Sequence, residues 1–272
     1  MNRSISRPPI IRSGFPRAGS LSGNAARDRF EAGVLDICGD VRLFWLPRPT
    51  ETTTSTDRSR NARVFTENAT MAGRFVTQGS GVGVTYNGTS DYASFPDADD
   101  ISFGDGVVDQ PLSIVSWQNV TNTEAARWIV SHYDGAAGNR EWELYVDASD
   151  QLNGELVDNS STGSISYRST AAITQGSISL FGMTYDGTAE LTGINLYSAG
   201  ARIARTSTAG GTYVALENKS ALGLIWADQT NTAIQKWFSG TGYCIVLTAK
   251  HLSDDEMWHL KTLGNAYYGL TL

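Results

Sequence analysis

YNGTSDYASFPDADDISFGDGVVDQPLSIVSW, residues 86–117, is the stretch whose reading decides the fold. Asn87-Gly88 between β-rich runs is a hairpin signal, because both residues tolerate positive φ. Tyr92 to Pro96 then reads as a short strand. An acidic, glycine-bearing loop follows, with Asp97, Asp99, Asp100, Asp105 and Asp109, and leads to an apolar strand from Leu112 to Trp117.

Outward from this stretch the composition is that of a β-protein. The chain has 272 residues, 40% hydrophobic, with seven Trp and 28 Gly, enough for one large sandwich with tight turns. Period-2 alternation recurs in Arg140–Asp147, where Trp142, Leu144 and Val146 share one face and Glu141, Glu143 and Tyr145 the other. Ile178–Tyr185 leads into a turn at Asp186-Gly187, and Gly193–Tyr197 follows. No internal repeat interrupts the series, so residues 35–272 form one domain.

The formal charge of −7 is split. Residues 1–34 carry six arginines against Asp28 and Glu31, a net of +4, so the rest carries −11. An acidic body argues against nucleic acid as a partner. Pro8, Pro9, Pro16 and interspersed Gly and Ser make residues 1–34 an extended arm, with at most a weak helical turn around Ala25–Ala32. The domain is expected to fold without it. The N-terminus has charge but no apolar run, so no export signal is read, and nothing approaches the ~18 apolar residues of a membrane span. Near the other end, Ser253 with Glu256 three residues on is a capping box. Met257, Leu260 and Leu263 line one helical face, and Gly264 reads as the helix stop.

Several phrases resemble the laminin-G-like, concanavalin-A-like lectin and glucanase jelly rolls. Residues 86–117 resemble that family's opening. Asp57, Ser59 and Asn61 match its Asp-Ser-(Ser/Gly)-Gly-Asn loop, with Arg58 and Arg60 as basic departures. Met183–Gly187 with Ile194–Gly200 looks like its Tyr-Asp-Gly hairpin, and Leu252–Glu256 like its closing helix. The resemblance implies an all-β, antiparallel sandwich with an extended N-terminal arm and one short C-terminal helix. Because such folds often bring their terminal strands together, a Cys38–Cys244 disulfide is conceivable; two buried thiols are the alternative. Relatives of this fold also bind calcium at loop edges, and carboxylate density then points to Asp97, Asp99, Asp100, Asp105 and Asp109.

Catalytic signatures are sparse. Glucanases of the fold place carboxylates as Glu-x-Asp-x-x-Glu; here only the pair Glu141 and Glu143 is present, which reads as a solvated strand face. His132, His251 and His259 lack zinc-ligand spacing, and no nucleophile elbow or phosphate loop occurs. Trp128, Tyr133, Trp142, Tyr145 and Trp226 are candidate sugar platforms, with faces unassigned. Sequons such as Asn68, Asn87, Asn119, Asn159 and Asn218 are expected by chance in a Ser/Thr-rich chain.

The expectation is a non-enzymatic virion structural protein of a phage, a capsid decoration, head-fibre or tail-fibre component. It would be a homo-oligomer anchored to other virion proteins through residues 1–34, displaying a lectin-like sandwich to host-surface glycans. Ile5, Ile10, Ile11, Phe15, Leu21 and Phe30, with Arg3, Arg7, Arg12 and Arg17, would make the assembly contacts. An extracellular glycan-binding module of a bacterium is the alternative, and a glycoside hydrolase on the same fold the third.

Overall fold

The computed structural model describes residues 23–271 except 122–124, 135–137, 159–162 and 231–232. Helix α1 (Gly23–Cys38) leads into β1 (Val41–Trp45), β2 (Thr54–Thr56), β3 (Val64–Glu67), β4 (Phe75–Gln78), β5 (Gly81–Asn87) and β6 (Ala93–Phe95). A 3-10 turn at Asp99–Ile101 precedes β7 (Leu112–Val120), β8 (Arg127–Asp134), β9 (Asn139–Val146), β10 (Leu152–Asp158) and β11 (Gly163–Ser169). Next come β12 (Ser179–Tyr185), β13 (Ile194–Ser198), β14 (Ala201–Arg202) and β15 (Arg205–Gly210). The chain closes with β16 (Gly223–Ile225), β17 (Asp228–Thr230), β18 (Ala233–Gln235), β19 (Ser239–Thr248) and α2 (Asp254–Tyr268).

Among the described residues these strands form two sheets. The shorter, of eight strands, runs β14-β13-β12-β7-β19-β5-β4, with β1 also on β19. The longer, of eleven, runs β15-β11-β10-β9-β8-β16-β6-β3-β2, with β17 on β8 and β18 on β17. Pairing is antiparallel except for one parallel contact, Gln229 to Asp134 between β17 and β8. The facing surfaces bury Trp45, Phe65, Phe95, Trp142, Leu144, Leu196, Trp226 and Ile245, a sandwich core from alternate positions. The fold is therefore the expected antiparallel β-sandwich.

Asn87-Gly88 is not a two-residue hairpin. The strand before it belongs to the shorter sheet and the strand after it to the longer, so the chain crosses between layers here. Gly88 takes a left-handed φ of 73°, and the Asn87 side chain accepts from the backbone N–H groups of Thr89, Ser90 and Asp91. The local turn chemistry is as read, but the partner strand is not.

The outer face of the shorter sheet is apolar and is covered by the two helices. Val115, Trp117, Leu180, Tyr197, Cys244 and Val246 pack against Phe30, Val34, Met257, Leu260 and Tyr268. The Phe30 ring stacks on Tyr267 at 4.5 Å and meets Trp117 edge-on at 5.6 Å. Residues 23–34 are thus helix packed on their own domain, not extended arm, and Phe30 contacts its own chain. Residues 1–22, with the other nine proposed assembly contacts, lie outside the described residues. Cys38 and Cys244 are free, buried thiols, and burial pushes Cys38 up to about 12.

Helix α2 starts with the expected capping box on Ser253 and Glu256. It runs past Gly264, however, and ends at Gly269, whose φ of 65° makes the left-handed cap. Gly264 is instead a point of close approach: a Cβ there would lie 2.0 Å from Trp117 Nε1. Phe30→Ala should lower stability by ~3–5 kcal/mol, the usual loss for a buried aromatic truncated to Ala. Deleting residues 1–30, dispensable by composition, should lower the melting temperature as well. Unchanged thermal transitions in both proteins would refute the α1 packing.

Candidate functional site

The outer face of the longer sheet carries the candidate site. Register across β8 to β11 sets two rows of side chains side by side. One is Trp128, Tyr145, Asn153 and Arg168; the other is Ser131, Glu143, Glu155 and Ser166. Trp128 and Tyr145 stack with centroids 4.4 Å apart and planes 6° from parallel. Lys236 Nζ sits 4.1 Å over the Trp128 ring, a cation–π contact, and 3.1 Å from Asp228 Oδ2. Trp128 is therefore covered on both sides and only 5% exposed. Half-buried Tyr145 ends the stack, on the side of β10 and β11. Arg140 lies over Tyr133, 5.3 Å from its ring centroid.

Beneath the aromatics, Trp128 Nε1 donates to Glu143 Oε2 at 2.6 Å. Burial, then the charges of Glu155 and Asp228, push Glu143 well above the carboxylate range. Burial also raises Glu155, against hydrogen bonds from Ser164 and Glu143. Two glutamates joined by a hydrogen bond need a proton between them. That proton is spent within the pair, so only acceptor oxygens are left toward the surface.

A second polar group lies at the end of the sandwich. His132, fully buried, has Nε2 3.1 Å from Asp97 Oδ1 and Nδ1 3.2 Å from Glu141 Oε1. Ser102 Oγ and the Lys219 backbone N–H also donate to Glu141. Burial alone would lower the His132 pKa, but the hydrogen bonds and charges of Asp97 and Glu141 reverse this and raise it to about 9. An imidazolium between two carboxylates ties the loop at residues 97–102 to β8 and β9. Glu141 and Glu143 are thus both buried and turned to different partners; they are not a solvated face.

The five aspartates proposed for calcium do not converge. Asp97 serves His132, Asp99 accepts from Asn218, and Asp100 pairs with Arg63. Asp105 accepts from the backbone of Val107 and Val108, and Asp109 from Tyr185, Tyr213 and the Leu216 N–H. Among the described residues no group of three or more His, Cys, Asp or Glu could hold a metal ion. Of the candidate platforms, Trp142 and Trp226 are core, whereas Trp128, Tyr133 and Tyr145 lie with the open-face cluster. Sequence reasoning missed Glu155, Asp228 and Lys236. Alternation in β10 could have exposed Glu155; the other two arrive through the β17–β18 excursion.

No known family's pattern matches the chain, and no curated protein matches it. Solved structures do. The CBM40 module of Ruminococcus gnavus IT-sialidase, bound to α2,3-sialyllactose, is similar at 15% identity and TM-score 0.50, covering 66% of this chain and 96% of that one. A mutant Trypanosoma rangeli sialidase displaying trans-sialidase activity is similar at 11% identity and TM-score 0.58, over 89% of this chain and 38% of that one. The binding domain of Paraclostridial Mosquitocidal Protein 1 is similar at 12% identity and TM-score 0.62, over 87% of this chain and 56% of that one. The chain spans well under two thirds of the last two. At such identities the likeness is one of fold alone, that of an antiparallel β-sandwich. Among the described residues no helix is long and apolar enough to cross a membrane.

The His132 clamp has a pH signature. Its folded pKa of about 9 lies above the ordinary 6.5, so its stabilisation is complete below 6.5 and is lost as pH rises through 9. Stability should fall over that window with a slope approaching ~1.4 kcal/mol per pH unit for one proton. Glu67, raised to about 8 chiefly by burial, adds to the fall only up to that pH. Urea titrations at each pH should show His132→Gln flattening the curve, most clearly between pH 8 and 9. A wild-type curve that is flat there would refute the clamp.

Proposed function

We propose that this chain is a non-catalytic glycan-binding module whose ligand lies on the open face of the longer sheet, against Tyr145. The observation that carries this is the parallel Trp128–Tyr145 stack beside Asn153, Arg168, Ser166 and the Glu143–Glu155 pair. Sugar rings use such a combination, with an apolar face on an aromatic ring and hydroxyls on amides and carboxylates. Trp128 is the brace and Tyr145 the platform, because Lys236 already covers the other side of Trp128. Carbohydrate binding named for the R. gnavus module is in keeping with this reading.

The carboxylate arrangement supports the non-catalytic part. Glycosidases that use two carboxyl groups hold them ~5–5.5 Å apart for retention and ~6.5–9.5 Å apart for inversion. Glu143 and Glu155 are in direct hydrogen bond, closer than either. Glu141 is turned away to His132 and cannot serve as a partner on this face. A virion anchor through residues 1–34 now draws its support from composition alone, since Phe30 is spent on the chain's own α2 and Trp117.

An array of immobilised glycans tests the reading. Wild-type protein should be retained by at least one glycan class, and Tyr145→Ala should weaken that binding about tenfold, the loss of ~1.4 kcal/mol of stacking. Its melting temperature should fall by only a few degrees, the loss of the stack on Trp128, with the cooperative transition kept. Retention by no glycan, or equal retention of the variant, would overturn the proposal.

A further inference from the structure

The basic loop that departs from the lectin pattern builds a cavity of its own. It has a volume of about 260 Å³ and lies between the end of α1, β1 and residues 58–61. Arg42, Arg58 and Arg60 line it together with Ser59 and Asn61, and Asp40 is its one lining carboxylate. In a chain of net charge −7, three guanidinium groups against one acid is a local reversal of sign.

The loop is held in shape independently of any ligand. Asp57 Oδ1 accepts from the backbone N–H groups of Phe44 and Ser59, and Oδ2 from Ser59 Oγ. Ser59 Oγ, Asn61 Nδ2 and the Arg63 guanidinium all also approach the Arg42 carbonyl. Arg58 pairs with Glu51, and Arg42 Nη2 is 2.7 Å from Asp40 Oδ2. The Asp40 side chain is 61% exposed, so this carboxylate sits at the rim. Arg60 is exposed and has no ion pair or hydrogen bond among the described residues. The arrangement leaves one whole guanidinium unspent beside two more that are already oriented.

We propose that this cavity binds a single oxyanion group, a sulfate or phosphate ester. Its volume falls just below the ~300–1,000 Å³ of sites that enclose whole organic ligands, and its charged lining suits one such group. Guanidinium forks match tetrahedral oxyanions with paired N–H donors, and the second N–H of the Asn61 amide adds to the shell. The Asp40 carboxylate at the rim competes for Arg42 and sets a moderate affinity. This site is separate from the open face, and its fate is independent of the glycan reading.

The experiment is a melting-temperature titration of the full chain with inorganic sulfate and inorganic phosphate, against sodium chloride at equal ionic strength. A specific rise is expected, because a ligand bound only to the folded state stabilises it. Arg60→Gln removes a side chain with no structural partner, so it should fold normally and weaken affinity about fivefold to tenfold. Asp40→Asn should tighten it about threefold to fivefold by removing the competing charge. Galactose 6-sulfate and glucose 6-phosphate tell the sources apart: either one outperforming its free anion assigns the ester and supports the site. A rise no greater than with chloride, or one unaltered in both variants, overturns the proposal.

Discussion

A sandwich of two sheets has four faces, and the sequence makes three of them apolar. Two meet in the core. The third, the outer face of the shorter sheet, carries Trp117, Leu180, Tyr197 and Val246, which would be an adhesive surface if left in water. The constraint on the molecule is to cover this face, and α1 and α2 do so through Phe30, Tyr267 and Tyr268. Gly264 lets α2 come down onto Trp117 with no side chain between them. Once that face is sealed, only the outer face of the longer sheet remains for a ligand broad enough to need a strand surface.

That remaining face is not an ordinary wet surface. Solvated strands carry exposed charges that interact weakly, at ~0–1 kcal/mol per pair. Here Glu143 and Asp228 are buried, Trp128 is nearly so, and two glutamates sit opposite one another in the register. Cross-strand like charges destabilise a sheet, and buried ones cost more. A shared proton and the Trp128 indole lower that cost without removing it. Local rules are broken in this way mainly where a site has to be built.

The fold was legible because it rests on local chemistry. Alternation in β9 and β12, the capping box at Ser253 and the glycine turns are each written in a few adjacent residues. What failed to read was anything set by contact at a distance. Composition marks residues 23–34 as arm, since Phe30 and Val34 lie in a polar run, and only the apolar groove on β7, β19 and α2 makes them helix. Gly264 reads as a stop until Trp117 is seen beneath it. Carboxylate density at Asp97–Asp109 reads as a cation loop, but Asp97, Asp99, Asp100 and Asp109 are taken up by donors from other parts of the chain and Asp105 by the backbone of its own turn.

The candidate site itself was half legible, and β-bulges explain the missing half. Strict period-2 alternation puts Trp128, Val130 and His132 on one face of β8, and Glu141, Glu143 and Tyr145 on one face of β9. In the sheet, Trp128 opposes Tyr145 while Val130 opposes Leu144, so β8 carries an extra residue at that point. Further along, His132 opposes Trp142 and Tyr133 opposes Arg140, so the extra residue is on β9 and is Glu141. The first bulge brings Trp128 and Ser131 to the open face beside Tyr145 and Glu143, three residues apart in place of two. The second takes Glu141 out of the row and delivers it to His132. Bulges re-aim side chains in this way without interrupting the sheet. One pair of irregularities therefore separates two acids that look equivalent in Glu-Trp-Glu: Glu143 goes to the ligand face, and Glu141 to the clamp that steadies it.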